Sequence, residues 1–184
     1  MLQEQGERKH MSILSNEVVS LRPLTRKDLE FLNRWKNDED VYKYLGGGFM
    51  PVSADVQEKW MDSMMDTTGN NRRFMIEIEG GAPVGMIGLY NIKWIHQTAE
   101  LGIFIGEKSC EGKGYASNAF NLLKNYASQY LNIRKIRADV VEDNEKAVAM
   151  YQRLGFRTAG CLQDERFIEG KYHNLLILEI FTKQ

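Results

Sequence analysis

A short glycine-containing segment, residues 109–116, constrains the fold of this chain more than any other feature. It stands between an apolar run at 99–105, which predicts a strand, and an amphipathic run at 115–131, which predicts a helix. Such a loop leaves the first backbone N–H groups of the helix unpaired, with the positive end of the helix dipole behind them. Gly112 and Gly114 carry no Cβ, so the backbone can come close to a diphosphate. The segment therefore predicts a site for a phosphate-bearing ligand.

Two common phosphate-binding loops fit this segment poorly. A P-loop would need Gly106 one residue closer to Gly112, and Ser or Thr after Lys113. A dinucleotide-binding loop would need Gly or Ala at Ser117. Asp139 lies at a suitable distance along the chain for a ribose contact, although no second βαβαβ half is present. The nucleotide-binding alternative is weakened and stays open, as does a plain helix-start turn.

A second motif follows after a predicted buried strand at 136–141. The pattern Asn-x-x-Ala-x-x-x-Tyr-x-x-x-Gly-Phe runs from Asn144 to Phe156. Asn144 is suited to cap the next helix, and Gly155 is suited to end it with a positive φ. Helical spacing places Asn144 and Tyr151 on the same side of that helix.

Together the two motifs resemble those of the GNAT superfamily of acyl-CoA-dependent N-acetyltransferases. That family has [QR]-x-x-G-x-[GA] between its fourth strand and third helix, and the second pattern after its fifth strand. The one departure is Ser109 where Gln or Arg is usual. It affects a single side chain, because the family holds the pyrophosphate mostly through backbone N–H groups. The resemblance covers residues 18–182 and implies acetyl-CoA as co-substrate, with no metal.

The resemblance also implies where acetyl-CoA binds. The pantetheine arm enters between the fourth and fifth strands and pairs with the fourth, while the phosphates lie on the glycine segment. The residues expected to contact the co-substrate are Ile103, Phe104, Ile105, Gly112, Lys113, Gly114, Tyr115, Ala116 and Asn144. Ordinary burial in a strand, helix capping and a solvated lysine are the structural alternatives for these positions.

Acetyl transfer from a thioester to an amine needs a neutral amine, a donor for the developing oxyanion and a proton for the departing thiolate. A thiol has a pKa of about 8.5 and a tyrosine of about 10, so tyrosine can donate without being ionised at neutral pH. Tyr151 stands where many GNAT enzymes place this acid, and core packing is its alternative role. Glu100 is the candidate base, directly or through water, with a surface glutamate as the alternative. Cys110 has no evident base partner and is not expected to be a nucleophile.

The acceptor amine is less well defined by the sequence. Acidic residues before the predicted hairpin form either an acidic rim that favours a cationic amine or the solvated faces of two helices: Asp38, Glu39, Asp40, Asp55, Glu58, Asp62 and Asp66. The chain resembles the branch of ribosomal-protein (RimJ/RimL type) and spermidine acetyltransferases. This resemblance implies a small amine (polyamine or amino sugar), with a ribosomal or other protein N-terminus as the alternative. A non-catalytic acyl-CoA-binding module is the alternative from another class.

Composition limits the classes of protein further. The 184 residues predict one domain at 16–184 after a disordered or tag-like lead at 1–15, with Met11 as a candidate first residue. Formal charge is −1, from 24 basic and 25 acidic side chains, so no nucleic-acid partner is expected. No apolar run approaches the roughly 18 residues of a membrane span. Two cysteines give no disulfide framework, which favours a cytoplasmic protein.

The predicted elements run strand, helices, hairpin, strand, helix, strand, helix, hairpin. This order predicts an α/β (α+β) fold with a mixed sheet and helices on both faces. By the GNAT resemblance, the sheet is mostly antiparallel and its fourth and fifth strands splay apart. Before the first hairpin, a helix capped by Ser53 is expected to bury Val56, Trp60, Met61 and Met64. The final hairpin offers a sheet edge, and a homodimer is a further expectation.

Overall fold

A computed structural model describes residues 12–183. Most of the predicted N-terminal lead, residues 1–11, therefore lies outside the described residues. Within the last part of the lead, Ser15 forms an isolated antiparallel bridge with Ser20, and Leu14 packs against the core. The domain boundary at residue 16 stays a prediction.

The secondary structure follows the predicted order, with boundaries shifted by a few residues. The elements are β1 (Ser20–Pro23), α1 (Leu29–Lys36), α2 (Glu39–Tyr42), α3 (Ala54–Met65), β2 (Arg72–Glu77), β3 (Pro83–Lys93), β4 (Thr98–Ile105), α4 (Tyr115–Gln129), β5 (Lys135–Val141), α5 (Glu145–Arg153), β6 (Arg157–Ile168) and β7 (Lys171–Phe181). Local chemistry explains several boundaries. The Ser53 hydroxyl accepts a hydrogen bond from the Val56 N–H at the start of α3, and Gly155 follows α5 with φ of 89°.

The seven strands form one sheet in the order β1-β2-β3-β4-β5-β7-β6. Every neighbouring pair is antiparallel except β4 and β5, which run parallel. Because β7 lies between β5 and β6, β6 forms one edge of the sheet. The mixed, mostly antiparallel sheet is confirmed.

The parallel pair at the centre of the sheet is short. Only Thr98–Glu100 of β4 pair with Lys135–Arg137 of β5, in register, and beyond these residues the two strands separate. The predicted splay of the fourth and fifth strands is therefore confirmed. It leaves backbone groups of residues 101–105 without a neighbouring strand on that side, since β3 satisfies only the groups that point the other way.

Helices cover both faces of the sheet, as predicted. On one face α4 and α5 pack on the main core, which includes Phe120 and Leu123. On the other face α1, α2 and α3 bury a second cluster around Trp35 and Met61. Successive residues of β4 alternate between the two faces, so Leu101 packs in the main core and Phe104 in the second cluster.

One prediction for α3 is wrong. Trp60 was expected on the buried side of the helix, but 44% of it is exposed, and Gln57 is buried instead. The buried positions of α3 are Gln57 and Met61, four residues apart, and Met64 continues the stripe. The Gln57 amide lies 3.4 Å from the Met64 sulfur, a partner that makes its burial tolerable.

Candidate functional site

A deep cleft opens where β4 and β5 separate, with a volume of about 1730 Å³. Ile103, Phe104 and Ile105 line it from β4, as predicted for the strand that pairs with the co-substrate. The start of α4, the start of α5 and the segment around α2 line the remaining sides. The cleft therefore brings together the two motifs that lie about thirty residues apart in the sequence.

The glycine segment forms the end of the cleft at the start of α4. Gly112 has φ of 71° and Gly114 has φ of 81°, the left-handed region where glycine is favoured. No atom lies within 4 Å of the position a Cβ at Gly112 would take, so a ligand can approach the backbone closely there. Gly112, Gly114, Tyr115 and Ala116 all line the cleft. Lys113 is exposed and is not among the lining residues, so its predicted phosphate contact has no support from its position.

Asn144 lies on the opposite lip of the cleft, at the start of α5. Its side-chain oxygen accepts a hydrogen bond of 3.3 Å from the Ala147 backbone N–H, which confirms the predicted cap. The cap uses the oxygen of the side-chain amide and leaves its NH2 group free to donate. Asn144 can thus cap the helix and contact a ligand at once.

Tyr151 lies at the base of the cleft and is 5% exposed. Its ring packs edge-on against the ring of Phe156, with 5.0 Å between the ring centroids and 73° between the ring planes. This contact fixes the phenol in place. Burial raises the pKa of Tyr151 well above the ordinary value for tyrosine. A phenol in this setting stays protonated at neutral pH and can act only as a proton donor.

Glu100 lies on the same face of β4 as Phe104, at the point where β4 and β5 separate. One carboxylate oxygen accepts a hydrogen bond of 3.0 Å from Arg137, and the other accepts one of 2.7 Å from Asn91. Both oxygens therefore have a protein partner, and the carboxylate is fixed in orientation. Glu100 and Asn91 still line the cleft, so a water or an amine can reach them.

The acidic rim, one of two interpretations of the acidic residues before the hairpin, is mostly absent from the cleft. Of the seven acidic residues considered, only Asp40 lines it. Lys108 donates to Asp40 at 2.9 Å, and this hydrogen bond lowers the pKa of the Asp40 carboxyl. The other six lie elsewhere on the surface of the helices or in their caps; Asp38, for example, caps α2. These six residues therefore fit the alternative interpretation, in which they form the solvated faces of the helices.

Three aromatic residues that line the cleft were not predicted as site residues: Tyr42, Tyr44 and Tyr90. Phe104 was expected only through its backbone. Tyr42 comes from α2 and Tyr90 from β3, so no local motif links them. The register of the β3–β4 hairpin is the one sequence signal that could have placed Tyr90 beside Glu100, because the two residues are directly opposed.

Residues 12–183 contain neither a candidate metal site nor a candidate membrane span. No group of three or more His, Cys, Asp or Glu side chains is arranged to hold a metal ion in this part of the chain. None of its helices combines the length and the apolar character needed to cross a membrane.

Comparison with known proteins agrees with this geometry. A family described as the acetyltransferase (GNAT) domain matches residues 19–157. Spermidine N(1)-acetyltransferase of Escherichia coli K12 is 33% identical over 170 residues, covering 92% of this chain and 89% of the relative. A putative ribosomal N-acetyltransferase of Bacillus subtilis, YdaF, is 28% identical over 176 residues, covering 92% and 94%.

Solved structures give the same result. The spermidine N-acetyltransferase of Vibrio cholerae, in complex with CoA and spermine, superimposes with a TM-score of 0.82 at 32% identity and covers 91% of this chain and 97% of that one. Residues 19–157, which match the family, include both motifs and the splayed strands. The chain belongs to the GNAT family of N-acetyltransferases, enzymes that use acetyl-CoA as co-substrate.

Proposed function

We propose that this enzyme transfers the acetyl group of acetyl-CoA to a primary amine of a polyamine. The observation that carries the proposal is the similarity of nearly the whole chain to an enzyme whose structure holds CoA and spermine. The cleft supports it, because it offers backbone groups for the co-substrate at one end and an aromatic surface with a carboxylate at the other.

The co-substrate side of the cleft consists of β4, the start of α4 and the start of α5. Gly112 and Gly114 expose the first N–H groups of α4 to the pyrophosphate, with the helix dipole behind them. Alternate backbone groups of residues 101–105 point away from β3 and can pair with the amide groups of the pantetheine arm. Asn144 donates its free NH2 group to the same arm.

Tyr151 acts as the general acid in this proposal. The amine nitrogen forms a bond to the acetyl carbon, the carbon–sulfur bond breaks, and the sulfur takes the proton of the Tyr151 hydroxyl. A backbone N–H of β4 stabilises the charge that develops on the acetyl oxygen. The phenol is suited to this step because it lines the cleft and burial keeps it protonated.

Glu100 receives the proton that the amine must lose, through a water. Its two oxygens already accept hydrogen bonds from Arg137 and Asn91, so a direct approach of the amine would have to displace one of them. A carboxylate has further lone pairs, and a water can use one without breaking either contact. The water takes one proton from the ammonium group before the attack, which leaves the amine neutral. As the amide forms, the nitrogen loses its second proton, which restores the Tyr151 hydroxyl.

An acceptor that is the N-terminus of a protein is the second candidate. The relative described as a putative ribosomal N-acetyltransferase favours it, at the lower identity of 28%. The two candidates differ in what must enter the cleft, because a protein N-terminus brings peptide groups that need hydrogen-bond partners.

We further propose a cytoplasmic enzyme that forms a homodimer through β6. The free thiols of Cys110 and Cys161 are typical of a reducing compartment. Among the described residues, strand β6 has a neighbour only on the β7 side, and it is exposed along most of its length. A second copy can pair with such an edge. Light scattering on the purified protein measures the mass and tests the dimer.

The experiment that tests the proposed function is thiol release from acetyl-CoA over a panel of amines. The panel contains spermine, spermidine, amino sugars, amino acids and peptides with free N-termini, and mass spectrometry identifies each acetylated product. We expect release with polyamines and a matching gain of one acetyl group. Release only with peptides would favour the second candidate, and CoA binding without release from any amine would favour a non-catalytic module.

A further inference from the structure

The acceptor side of the cleft has a regular construction on strands β3 and β4. Three pairs of directly opposed residues follow one another on this face: Tyr90 with Glu100, Gly88 with Gly102, and Met86 with Phe104. Residues two apart on a strand point to the same side, so all six belong to one surface. The Gly88–Gly102 pair thus lies between the Tyr90–Glu100 pair and the Met86–Phe104 pair.

The ring of Tyr90 packs over the two glycines. A Cβ on Gly102 would lie 2.7 Å from Cε2 of Tyr90, whereas a Cβ on Gly88 would lie 2.8 Å from the Arg72 carbonyl oxygen and 3.1 Å from Cε2 of Tyr90. No real side chain tolerates the first contact without a shift of the ring. The absence of both Cβ atoms therefore lets Tyr90 lie flat over two strands, a known way of covering glycine in a sheet. Its position is further fixed by Arg73, whose guanidinium lies 5.2 Å from the ring centroid.

Tyr42 and Phe104 complete the aromatic surface. Their ring centroids are 5.5 Å apart at 60°, and Phe104 also meets Trp35 edge-on at 5.9 Å. Burial raises the pKa of Tyr42 to about 12, and the nearby Tyr90 adds to this rise. All three rings are half-buried and line the cleft. We call Tyr42, Tyr90 and Phe104 the aromatic box.

The chemistry of the box selects one kind of acceptor. Aromatic surfaces take up methylene groups by hydrophobic contact and attract an ammonium group through their π faces. The Lys36 ammonium lies 4.2 Å from the ring centroid of Tyr42, so a cation already contacts one ring of the box. The Glu100 carboxylate next to Tyr90 contributes negative charge, and Arg137 is hydrogen-bonded to one of its oxygens. A sugar ring carries several hydroxyl groups that each need a hydrogen-bond partner, and the three rings of the box offer only two hydroxyls.

We infer that the aromatic box is the acceptor-binding subsite and that it selects unbranched alkyl ammonium chains over amino sugars. This inference rests on the proposed function and specifies which part of the cleft recognises the amine. It assigns Tyr42 and Tyr90 as specificity residues. Gly102 is a positioning residue that acts through Tyr90.

The test compares Tyr42→Leu and Tyr90→Leu with Tyr42→Phe and Tyr90→Phe. For spermine, we expect each Leu variant to raise KM by about 10-fold with kcat changed by less than about 3-fold, since the lost ring contacts hold the acceptor. The Phe variants keep the ring and are expected to stay within about 3-fold of the unaltered enzyme in KM. Gly102→Ala displaces the Tyr90 ring although Tyr90 itself is not substituted, and it is therefore also expected to raise KM for spermine.

Phe31→Leu is the matched control, because Phe31 belongs to the same buried cluster and is not among the residues that line the cleft. It is expected to lower thermal stability and to leave KM for spermine unchanged. Unchanged KM in folded Tyr42→Leu and Tyr90→Leu would overturn the inference. Equal kcat/KM for spermine and glucosamine in the unaltered enzyme would overturn it as well.

Calorimetric titration of spermine into protein saturated with CoA gives a second readout that needs no turnover. Loss of spermine binding in the Leu variants, with CoA affinity unchanged, supports the box even if the proposed acetyl transfer fails. Spermine binding that is absent in the unaltered protein, or equal in all variants, overturns the inference. The proposed function fails separately, if spermine binds but is never acetylated.

Discussion

The two sides of the cleft are built from different parts of the chain. The co-substrate side consists mainly of backbone: the left-handed glycines before α4, the unpaired groups of β4 and the cap of α5. The acceptor side consists of side chains from α2, β3 and β4, namely the aromatic box and Glu100. Backbone contacts survive most substitutions, whereas side-chain contacts do not. Acceptor specificity can therefore change by substitution while the co-substrate site is kept.

Tyr151 lies where the two sides meet, and its loss should have the largest effect on catalysis. Tyr151→Phe removes the proposed general acid and is expected to lower kcat by about 100-fold or more. The ring still packs on Phe156, so the dissociation constant of CoA should stay within about 2-fold. Steady-state kinetics and calorimetry measure the two quantities. A Phe variant with unchanged kcat would remove Tyr151 from the mechanism.

The pH dependence of the unaltered enzyme follows from the same residue. Burial raises the pKa of Tyr151, so the acid form persists to a higher pH than for an exposed tyrosine. A decline in kcat caused by loss of this proton is therefore expected only above about pH 10. A decline that begins near pH 8 and is absent in Tyr151→Phe would contradict this assignment.

The acceptor side also depends on how α1 and α2 are attached to the sheet. Asp28 is 2% exposed and accepts hydrogen bonds from Arg22 on β1, both at 2.7 Å. Burial alone would raise the pKa of Asp28, but the bonds from Arg22 and from the Thr25 N–H outweigh it and lower the pKa. A lowered pKa means that this stabilisation is present at neutral pH and is lost as the pH falls below about 4.

Asp28→Asn removes the carboxylate charge that pairs with Arg22 and is expected to lower the free energy of unfolding by about 2 kcal/mol, because hydrogen bonds to a buried charged group are weakened while Arg22 keeps its bond to Glu77. Chemical denaturation at pH 7 measures the loss, which should shrink on acidification. Asp62→Asn is the control, since Asp62 pairs with Arg26 at an exposed site, where pairs contribute about 0–1 kcal/mol. Equal losses of unfolding free energy in the two variants would show that the Asp28–Arg22 pair stabilises the protein no more than an exposed pair does.

The co-substrate side offers a matched pair of glycines. Gly114 before α4 and Gly80 in the β2–β3 turn have nearly the same backbone angles, φ of 81° and 82° with ψ of 2° in both. Replacing either by Ala is expected to cost about 1 kcal/mol of stability, because both need the left-handed region. Only Gly114→Ala should weaken acetyl-CoA binding, by about 10-fold, or about 1.4 kcal/mol. A similar loss of acetyl-CoA affinity in Gly80→Ala would show that general backbone strain, and not the loop before α4, causes the weaker binding.

The co-substrate side was predictable from the sequence because its features are local. The left-handed Gly112 and Gly114, the Asn144 cap and the position of Tyr151 on α5 each depend on residues within a few positions. Lys113 shows the limit of such arguments, since the loop conformation turns its side chain to solvent. The strand order required the family resemblance, because hydrophobic patterns do not specify that β7 lies between β5 and β6.

The acceptor side was not predictable in the same way. Tyr42 and Tyr90 lie about fifty residues apart in the chain and meet only through tertiary packing. Arg137 reaches Glu100 because β4 and β5 are paired at that level, which no single segment reveals. In α3 the helical pattern allowed two buried stripes, and contact with the second cluster selected Gln57 and Met61 over Trp60.

The most direct test of separate co-substrate and acceptor sides is a double-mutant cycle between Gly114→Ala and Tyr42→Leu, measured as kcat/KM for spermine under limiting acetyl-CoA. Separate sides predict that the two losses add in free energy to within about 0.5 kcal/mol. Each single variant should in addition change the affinity for only one ligand. A coupling energy above about 1 kcal/mol, or a Tyr42→Leu variant that loses CoA affinity, would contradict the account.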